Sequence, residues 1–402
     1  MVRIARGGTV TVLVALLVAG LSGCGSVPGM PVPGEIDVRT LDVGAFPVDR
    51  FSYSQDAGAD GPMLEGIRMS EAVVTSSQVD PSLKFGRGSK VLPDPATAID
   101  FLANVSEPIL KNRKLVVGYA ASGADRDDPE GQTRPTTDAT ALTVVALRFP
   151  DSDSATKAAT ELESADIAVS PENRKLSSAK YPQALLHWRP GVANIGAFLA
   201  HEEFVISLFV QRPTPDHADL VSWVDKAFTA ELAQLDRFEP TPTADIADLA
   251  VDPENLLSRV VVADRSGQVP DPDKFAVYGR NYLINSADDQ NTRARLLDES
   301  GFESTAYADG SSVARVRDAA GAPILVDGFI ESAGDAYDPL AAPADVPGAK
   351  CLELNDKGDP ERQYRYRCFV PYKRYVGVVS SDSDAEIRQK TAAQYALLAN
   401  SL

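Results

Sequence analysis

The sequence predicts an α+β protein with two similar domains, each an antiparallel sheet backed by helices. Three observations lead to this prediction. A strand, a turn rich in Ser, Asp and Pro, and an amphipathic helix succeed one another four times along the chain. Two of these units precede Pro240 and two follow it. The chain has 402 residues, which is enough for two domains that each bury a core of their own.

The four units share one local pattern. Their strands are predicted at residues 142–149, 203–211, 282–284 and 375–379. Their helices are predicted from Ala155 to about Ser164, through Leu220 and Leu232, through Leu296 to Gly301, and up to about Leu398. Ser and Asp side chains at the helix starts are expected to accept hydrogen bonds from free backbone N–H groups.

Further segments complete the two domains. Additional strands are predicted at residues 114–119, 184–188, 195–200, 312–316 and 324–330, with a hairpin turn at 318–321. A helix is predicted around residues 95–105, and a loop or exposed insertion at 339–347. Residues 239–243 break both the strand and the helix periodicity and mark the domain boundary. The first domain is therefore predicted at residues 51–239 and the second at residues 240–402.

The N-terminus has the features of an export signal. Arg3 and Arg6 precede an uncharged, mainly apolar run that extends from Thr9 to Leu21. This run is shorter than the roughly 20 apolar residues that a membrane-spanning helix needs. The last residue of the run begins the sequence Leu-Ser-Gly-Cys at residues 21–24, which resembles the lipobox of bacterial lipoproteins.

The resemblance to a lipobox implies that Cys24 becomes the first residue of the mature protein. It implies a thioether to diacylglycerol on Cys24, cleavage before this residue, and usually acylation of the new amino group. Residues 1–23 are thus the predicted signal peptide, and residues 24–50, rich in Pro and Gly, are the predicted tether. Two or more acyl chains anchor a protein stably, so we expect the chain on the extracytoplasmic face of the cell membrane.

The charge of the chain excludes one class of partner. The formal net charge is −18, and the predicted signal peptide contributes Arg3 and Arg6 but no acidic residue. Nucleic-acid binding requires a basic surface, so we expect no nucleic-acid partner. Anionic lipid headgroups should also repel the chain, so membrane attachment is expected through the lipid on Cys24.

The remaining cysteines are expected to pair. Once Cys24 is set aside, Cys351 and Cys368 are left, and an isolated pair in an exported protein most often forms a disulfide. Closing this short loop should stabilise the fold by roughly 3 kcal/mol. The alternative is a metal site, but the chain has no C-x-x-C motif and no histidine near this pair.

Short motifs in the mature chain resemble a known family. They are Leu-Asp-Val-Gly at residues 41–44 before Pro47, Ile-Arg-Met-Ser-Glu at residues 67–71, and Val-Tyr-Gly at residues 277–279. The similarity is to an uncharacterised family of cell-envelope lipoproteins from mycolic-acid-containing actinobacteria. This resemblance implies a location and a domain layout. It implies no activity and no functional residues.

Motifs for catalysis or for a cofactor are not convincing in this sequence. His201 opens the sequence HEEFV, which lacks the second histidine of H-E-x-x-H. His187 is predicted on a strand and His217 at a helix start, and zinc would need further ligands from elsewhere. Residues 86–90, Gly-Arg-Gly-Ser-Lys, invert the order of a phosphate-binding loop and are interpreted as a turn. No cofactor and no catalytic residue are predicted.

An acidic loop is a candidate calcium site. It contains Asp125, Asp127, Asp128 and Glu130. Pro129 and Glu130 occupy positions where an EF-hand requires Asp or Asn and then Gly, so only a looser kind of loop site is possible. The alternative is a solvated loop without a metal.

A basic, aromatic-rich stretch is the candidate interaction surface. It comprises Tyr364, Arg365, Tyr366, Arg367, Lys373 and Arg374. Strand alternation predicts Tyr364, Tyr366 and Cys368 on one face, with Arg365 and Arg367 on the other. One interpretation is a half-buried strand with its arginines in water. The other is contact with an anionic envelope glycan, lipid or partner protein, because the arginine guanidinium forms bidentate hydrogen bonds with phosphates and carboxylates.

These features favour a non-enzymatic binding or interaction module of the cell envelope, with an unknown ligand. Two alternatives remain open. A hydrolase of envelope substrates could use paired carboxylates, which leave no sequence motif. A carrier could hold an apolar ligand in a cleft between the two domains.

Overall fold

The computed structural model describes residues 36–129 and 134–401. The predicted signal peptide, the lipidation site Cys24 and the tether up to residue 35 lie outside the described residues. From Asp37 to Leu402 the chain forms one compact unit that contains both predicted domains. Within the described ranges, no helix is both long enough and apolar enough to cross a lipid bilayer.

The first domain is built on an antiparallel sheet. Its strands, in chain order, are β1 Phe85–Leu92, β2 Val117–Ala124, β3 Ala141–Arg148, β4 Arg174–Leu176, β5 Leu185–Trp188, β6 Asn194–His201 and β7 Phe204–Gln211. In space the order is β1-β2-β3-β7-β6-β5-β4. The long strands β3 and β7 lie side by side at the centre, where their apolar side chains fill both faces of the sheet.

Helices cover both faces of this sheet. They are α1 Gly61–Arg68, α2 Ser76–Val79, α3 Pro95–Ala98, α4 Glu107–Asn112, α5 Ser152–Ile167 and α6 His217–Leu235. Helix α5 packs on the face that carries Val145 and Leu147 of β3. Helix α6 packs on the opposite face, with Val144 and Ala146. The alternation of side chains along β3 thus supplies a core to each layer of helices.

The second domain repeats the plan. Its strands are β8 Phe275–Tyr278, β9 Phe302–Ala308, β10 Ser311–Val316, β11 Tyr337–Leu340, β12 Lys350–Leu354, β13 Tyr366–Tyr372 and β14 Tyr375–Ser381. In space the order is β11-β12-β13-β14-β10-β9-β8, and all neighbours are antiparallel. Two antiparallel sheets of seven strands each, in the described part of the chain, confirm the predicted fold class.

Four helices accompany the second sheet. They are α7 Arg280–Asn285, α8 Gln290–Ser300, α9 Gly321–Ser332 and α10 Asp384–Asn400. Leu297 of α8 and Leu325 of α9 pack with Phe369 on one face of the sheet. Helix α10 covers the other face, where Ile387 packs with Val379. The second sheet therefore has one face covered by helices α8 and α9 and another covered by helix α10.

The predicted helix caps are confirmed. The side chains of Asp151, Asp216, Asp289 and Ser383 each accept a hydrogen bond from a backbone N–H in the first turn of α5, α6, α8 and α10. Such a cap is worth roughly 1 kcal/mol, because it satisfies N–H groups that the helix leaves unpaired. Helix α8 also stops as predicted, at Gly301 in a left-handed conformation (φ +63°).

Several local predictions were wrong. Residues 282–284 lie in helix α7 and residues 324–330 lie in helix α9, although both were predicted as strands. The predicted hairpin turn at 318–321 leads into α9. Short apolar runs do not distinguish strand from buried helix, and here packing against the sheet decides. Residues 95–105 form a short helix that breaks after Ala98, and residues 86–90 lie in strand β1 instead of a turn.

Residues 37–50, predicted as the end of the tether, lie against the second domain. Leu41 is buried, and the backbone oxygen of Val48 accepts a hydrogen bond from Asn400 of helix α10 at 2.7 Å. Arg265 contacts Asp49 at 2.9 Å. The described part of this segment is thus packed onto the body of the protein.

Polar contacts join the two domains. The carboxylate of Glu71 accepts a hydrogen bond from the Asn281 N–H at 2.8 Å, and the Asn281 amide donates to the carbonyl of Val73 at 3.1 Å. The Gly86 N–H donates to the carbonyl of Ala287 at 3.2 Å. These buried or partly buried bonds hold helix α7 and its C-terminal end against the first domain.

Candidate functional site

The basic, aromatic-rich stretch does not act as one surface. Arg365 pairs with Glu353 at 3.0 Å, and Arg374 pairs with Glu303 at 2.6 Å. Lys373 lies in the tight turn between β13 and β14 with a positive φ. Two of the predicted arginines are therefore neutralised by carboxylates on neighbouring strands, which leaves less charge for a ligand.

Alternation along β13 separates the remaining members. Tyr366 and Cys368 point to the face that helix α10 covers, and Arg367 points to the face that α8 and α9 cover. Tyr364 precedes the first residue of the strand and lines the same cavity as Arg367. The predicted grouping of Tyr364 with Tyr366 is wrong, because strand geometry begins only at Tyr366.

This cavity has a volume of about 360 Å³ and lies between the second sheet and helices α8 and α9. Its floor consists of side chains that share one face of the sheet, on β9, β10, β13 and β14. Arg367 contributes from the floor, and Arg293 contributes from helix α8. We refer to this cavity as the arginine pocket.

Neither arginine of the pocket forms an ion pair with a carboxylate of the described residues. The Arg293 guanidinium lies over the ring of Phe329 at 5.4 Å, and the Arg367 guanidinium lies over the ring of Tyr337 at 5.3 Å. Burial lowers the pKa of Arg293, while the nearby Tyr307 and Asp288 partly offset this effect. The Arg293 guanidinium is thus half-buried and forms no direct ion pair with a described residue, although the charge of Asp288 acts on it.

Tyr307 shows that the two arginines converge. Burial raises the pKa of its phenol and the neighbouring Tyr282 adds to the rise, whereas the charges of Arg293 and Arg367 both act to lower it. Arg293, Arg367 and Tyr307 line the same cavity, although the two arginines come from a helix and a strand far apart in sequence. Convergent arginines are the arrangement that proteins use for phosphate and carboxylate groups.

The other polar groups of the pocket are neutral. They are the hydroxyls of Thr305, Tyr307, Ser312, Ser332, Tyr364 and Ser380. Among the described residues that line it, there is no Asp or Glu. The chain as a whole has 57 acidic and 39 basic residues, so a lining with two arginines and no carboxylate departs from its average chemistry.

Arg293 was not among the predicted site residues. A signal for it exists in the sequence, because Arg293 precedes the buried Leu297 by four residues and follows the buried Gln290 by three. These spacings place it on the inner face of α8, where a charged residue is unusual. Only the packing of α8 on the sheet brings it to Arg367.

The three histidines lie apart from one another. His187 Nε2 is 3.4 Å from Asp166, and His201 Nε2 is 2.8 Å from Asp236. His217 is the first residue of α6, as predicted, and its ring lies near that of Trp188. Across residues 36–129 and 134–401, no group of three His, Cys, Asp or Glu side chains is placed to hold a metal ion.

The acidic loop is engaged by arginines in the part that the structure describes. Asp128 Oδ2 accepts hydrogen bonds from Nε and Nη2 of Arg87, at 3.0 and 2.8 Å. Asp125 pairs with Arg126 at 3.1 Å. Asp127 accepts a hydrogen bond from the Asp128 N–H at 2.9 Å. Glu130 lies outside the described residues. The candidate calcium ligands thus already have protein partners.

Cys351 and Cys368 lie directly opposite each other on β12 and β13 and are joined by a disulfide. Both sulfurs lie in the core under helix α10. Since Cys368 follows Arg367, the bond also fixes the strand that forms the floor of the arginine pocket.

Two further cavities lie between the domains. One, of about 550 Å³, is lined by Ser89 and Tyr119 of the first domain and by Tyr278 and Tyr282 of the second. The other, of about 460 Å³, has a mainly apolar wall to which Phe238 contributes.

Carboxylates border the second of these cavities. Asp252 accepts hydrogen bonds from the N–H groups of Leu256, Leu257 and Ser258, and Glu71 accepts one from Asn281. Glu254, the third acid of the lining, forms an ion pair with Arg315. Asp252 and Glu71 thus position backbone segments and Glu254 is paired, which differs from a pair of carboxylates facing each other across a substrate.

Fold and pocket define the class: a two-domain α+β protein with a cationic cavity between the sheet and helices of its second domain. The chain belongs to the DUF7373 family, since residues 52–251 match the model "Domain of unknown function (DUF7373) N-terminal" and residues 256–401 match "Domain of unknown function (DUF7373) C-terminal". No curated protein matches the sequence.

Among solved structures, the chain is similar to the extracellular domain of PknH from Mycobacterium tuberculosis. The superposition covers 42% of this chain and 94% of that chain, with 10% sequence identity and a TM-score of 0.28. At this level of similarity the match says nothing about function.

Proposed function

We propose that the protein is a non-enzymatic binding module of the cell envelope that takes up an anionic ligand in the arginine pocket. The observation that carries the proposal is the pair Arg293 and Arg367, which converge on one cavity without a carboxylate partner in the described structure. Both arginines are half-buried and neither forms an ion pair with a described carboxylate, so an anion that fits the pocket would be attracted by two partly desolvated positive charges.

The location of this module is part of the proposal. A lipid on Cys24 would hold the chain on the extracytoplasmic face of the membrane, and the lipobox-like sequence and the apolar run before it support this. The family resemblance supports an actinobacterial envelope lipoprotein. The acidic surface would keep the body away from anionic headgroups.

The test is calorimetric titration of the mature chain with inorganic phosphate and with sulfate. Arg293→Met and Arg367→Met preserve the apolar stem of the side chain but remove its charge. Each should weaken phosphate binding at least tenfold, since a hydrogen bond to a charged group contributes about 1.5–3 kcal/mol.

The matched controls are Arg365→Met and Arg374→Met, which remove arginines of the same stretch that are already paired with carboxylates. They should bind phosphate within about twofold of the wild type, an effect below 0.5 kcal/mol at roughly 1.4 kcal/mol per factor of ten. Equal losses in all four variants, or no binding of either anion to the wild type, would contradict the proposal.

A carrier of an apolar ligand is the second candidate. It is favoured by the mainly apolar cavity of about 460 Å³ between the domains. A fluorescent fatty-acid probe should then bind the wild type, and Phe238→Ala should weaken its binding. The control is Phe209→Ala, since Phe209 is exposed on the first domain. Identical binding by both variants would count against the carrier.

A further inference from the structure

The chemistry of the arginine pocket points to a particular class of ligand. We infer that the ligand is a phosphorylated sugar, with its phosphate between Arg293 and Arg367 and its hydroxylated ring against the rest of the pocket. This inference rests on the proposed anion-binding function.

The pocket is larger than a simple anion needs. Its volume is about 360 Å³, whereas a water molecule takes up roughly 30 Å³ in the liquid. Pockets of about 300 Å³ and above are of the size that binds organic ligands. An inorganic phosphate would leave most of this space to solvent, so the shape favours an anionic group that is attached to a larger body.

Two guanidinium groups favour phosphate over carboxylate. A single arginine can occupy both oxygens of a carboxylate with its fork of N–H donors. A phosphate monoester presents three terminal oxygens and a charge between −1 and −2 near neutral pH, so it can accept from Arg293 and Arg367 together. The described residues that line the pocket include no Asp or Glu.

The floor of the pocket offers hydroxyl groups to a ring. Ser312 and Ser380 share the sheet face with Arg367, and within the described structure neither hydroxyl forms a hydrogen bond to another protein group. Ser332 on helix α9 donates to the carbonyl of Gly328 at 2.7 Å, which leaves its oxygen as an acceptor. Neutral donors and acceptors of this kind match sugar hydroxyls, which also donate and accept.

Aromatic side chains provide the remaining walls. Tyr364 is 44% exposed and its hydroxyl lies beside Gly310 in the turn between β9 and β10. Phe329 of helix α9 lies beneath the Arg293 guanidinium. The exposed Tyr364 ring provides a flat surface for the apolar face of a sugar ring, while the neighbouring polar groups bind its polar edge.

The test compares three soluble probes on the intact mature protein: glucose 6-phosphate, inorganic phosphate and glucose. Glucose 6-phosphate should bind at least tenfold more tightly than inorganic phosphate, and glucose alone should bind more weakly than either. The double variant S312A/S380A should lose most of the affinity advantage of glucose 6-phosphate over inorganic phosphate. Ser207→Ala on the first sheet is the control for a buried serine and should change neither affinity.

The outcomes separate this inference from the function on which it rests. Equal affinities for glucose 6-phosphate and inorganic phosphate would overturn the inference and leave anion binding intact, whereas no binding of either would overturn both. Glucuronate binding as tightly as glucose 6-phosphate would overturn the preference for phosphate. Cosedimentation with phosphatidylcholine vesicles only when they contain phosphatidylinositol would support the same chemistry and assign it to a lipid headgroup.

Discussion

Arg148 donates a hydrogen bond from Nη1 to Oε1 of Glu65 over 2.7 Å, and both side chains are buried. The same carboxylate accepts hydrogen bonds from the N–H and the hydroxyl of Thr241, at 3.0 and 2.9 Å. Thr241 lies in the segment that was predicted as the domain boundary. This buried ion pair therefore ties the segment between the domains to the end of strand β3 and to helix α1.

Breaking this pair should destabilise the protein strongly. Arg148→Met removes one partner of the buried Glu65 carboxylate, which still contacts Arg68 and Thr241, so we expect the free energy of unfolding to fall by about 1.5–3 kcal/mol. Arg189→Met is the control, because Arg189 pairs with Glu172 in an exposed position and should cost less than about 1 kcal/mol. Denaturant titration measures both. Equal effects of the two variants would contradict the assignment.

Glu231 should make the stability depend on pH. Its carboxylate is fully buried, and Oε2 accepts a hydrogen bond from the Val74 N–H at 2.9 Å. Burial raises the pKa of Glu231 from 4.5 to about 8. The folded state then holds this proton more tightly than the unfolded state. The stabilisation is complete below about pH 4.5 and is lost as the pH rises through about 8.

The variant Glu231→Gln tests this dependence. Glutamine has nearly the same shape and no proton to lose, so its unfolding free energy should fall less between pH 5 and 8 than that of the wild type. The difference should reach up to roughly 1.4 kcal/mol per pH unit. Glu172→Gln, at an exposed site, should follow the wild-type curve. Parallel curves for the wild type and Glu231→Gln would refute a raised pKa at this site.

The disulfide should contribute to stability through its short loop. Cys351 and Cys368 are separated by 17 residues, for which the chain-entropy model gives about 3 kcal/mol. A phosphine reductant should therefore lower the unfolding free energy of the wild type by about this amount. It should leave the double variant C351A/C368A unchanged. Two reactive thiols in the unfolded, unreduced mature protein would show that the bond does not form.

Cys24 is expected to determine where the protein is found. Cys24→Ala removes the thiol that would carry the lipid, so the variant should appear in the medium or remain as an unprocessed precursor. Fractionation with labelling by a radioactive fatty acid measures this. Cys351→Ala is the control, since it should still be labelled and membrane-bound. Normal processing and membrane retention of Cys24→Ala would rule out the lipid anchor.

The architecture was predictable because it depends on local signals. Residues 142–149 are mainly apolar, as expected for a strand in a sheet that is covered on both faces. Asp151 then marks the start of helix α5. Helices α7 and α9 were not predictable. Their apolar runs around Leu283 and Leu325 are short, and only contact with the second sheet selects the helix.

The pocket was predictable only in part. Tyr364 and Arg367 stand out as aromatic and basic residues in an acidic chain, but so do Arg365 and Arg374, which the structure pairs with Glu353 and Glu303. Which arginines remain without a carboxylate depends on the strands that lie beside them. Helical spacing places Arg293 on the inner face of α8, but only the packing of that helix on the second sheet brings it to Arg367.

The most direct test of the anion-binding pocket is native mass spectrometry of the protein purified in mild detergent from its own host. The wild type is expected to carry an adduct whose mass includes phosphorus, and the double variant R293M/R367M is expected to have lost it. The variant R365M/R374M should retain it, because both of these arginines already have carboxylate partners. An adduct that persists in R293M/R367M, or no adduct on the wild type, would contradict the account.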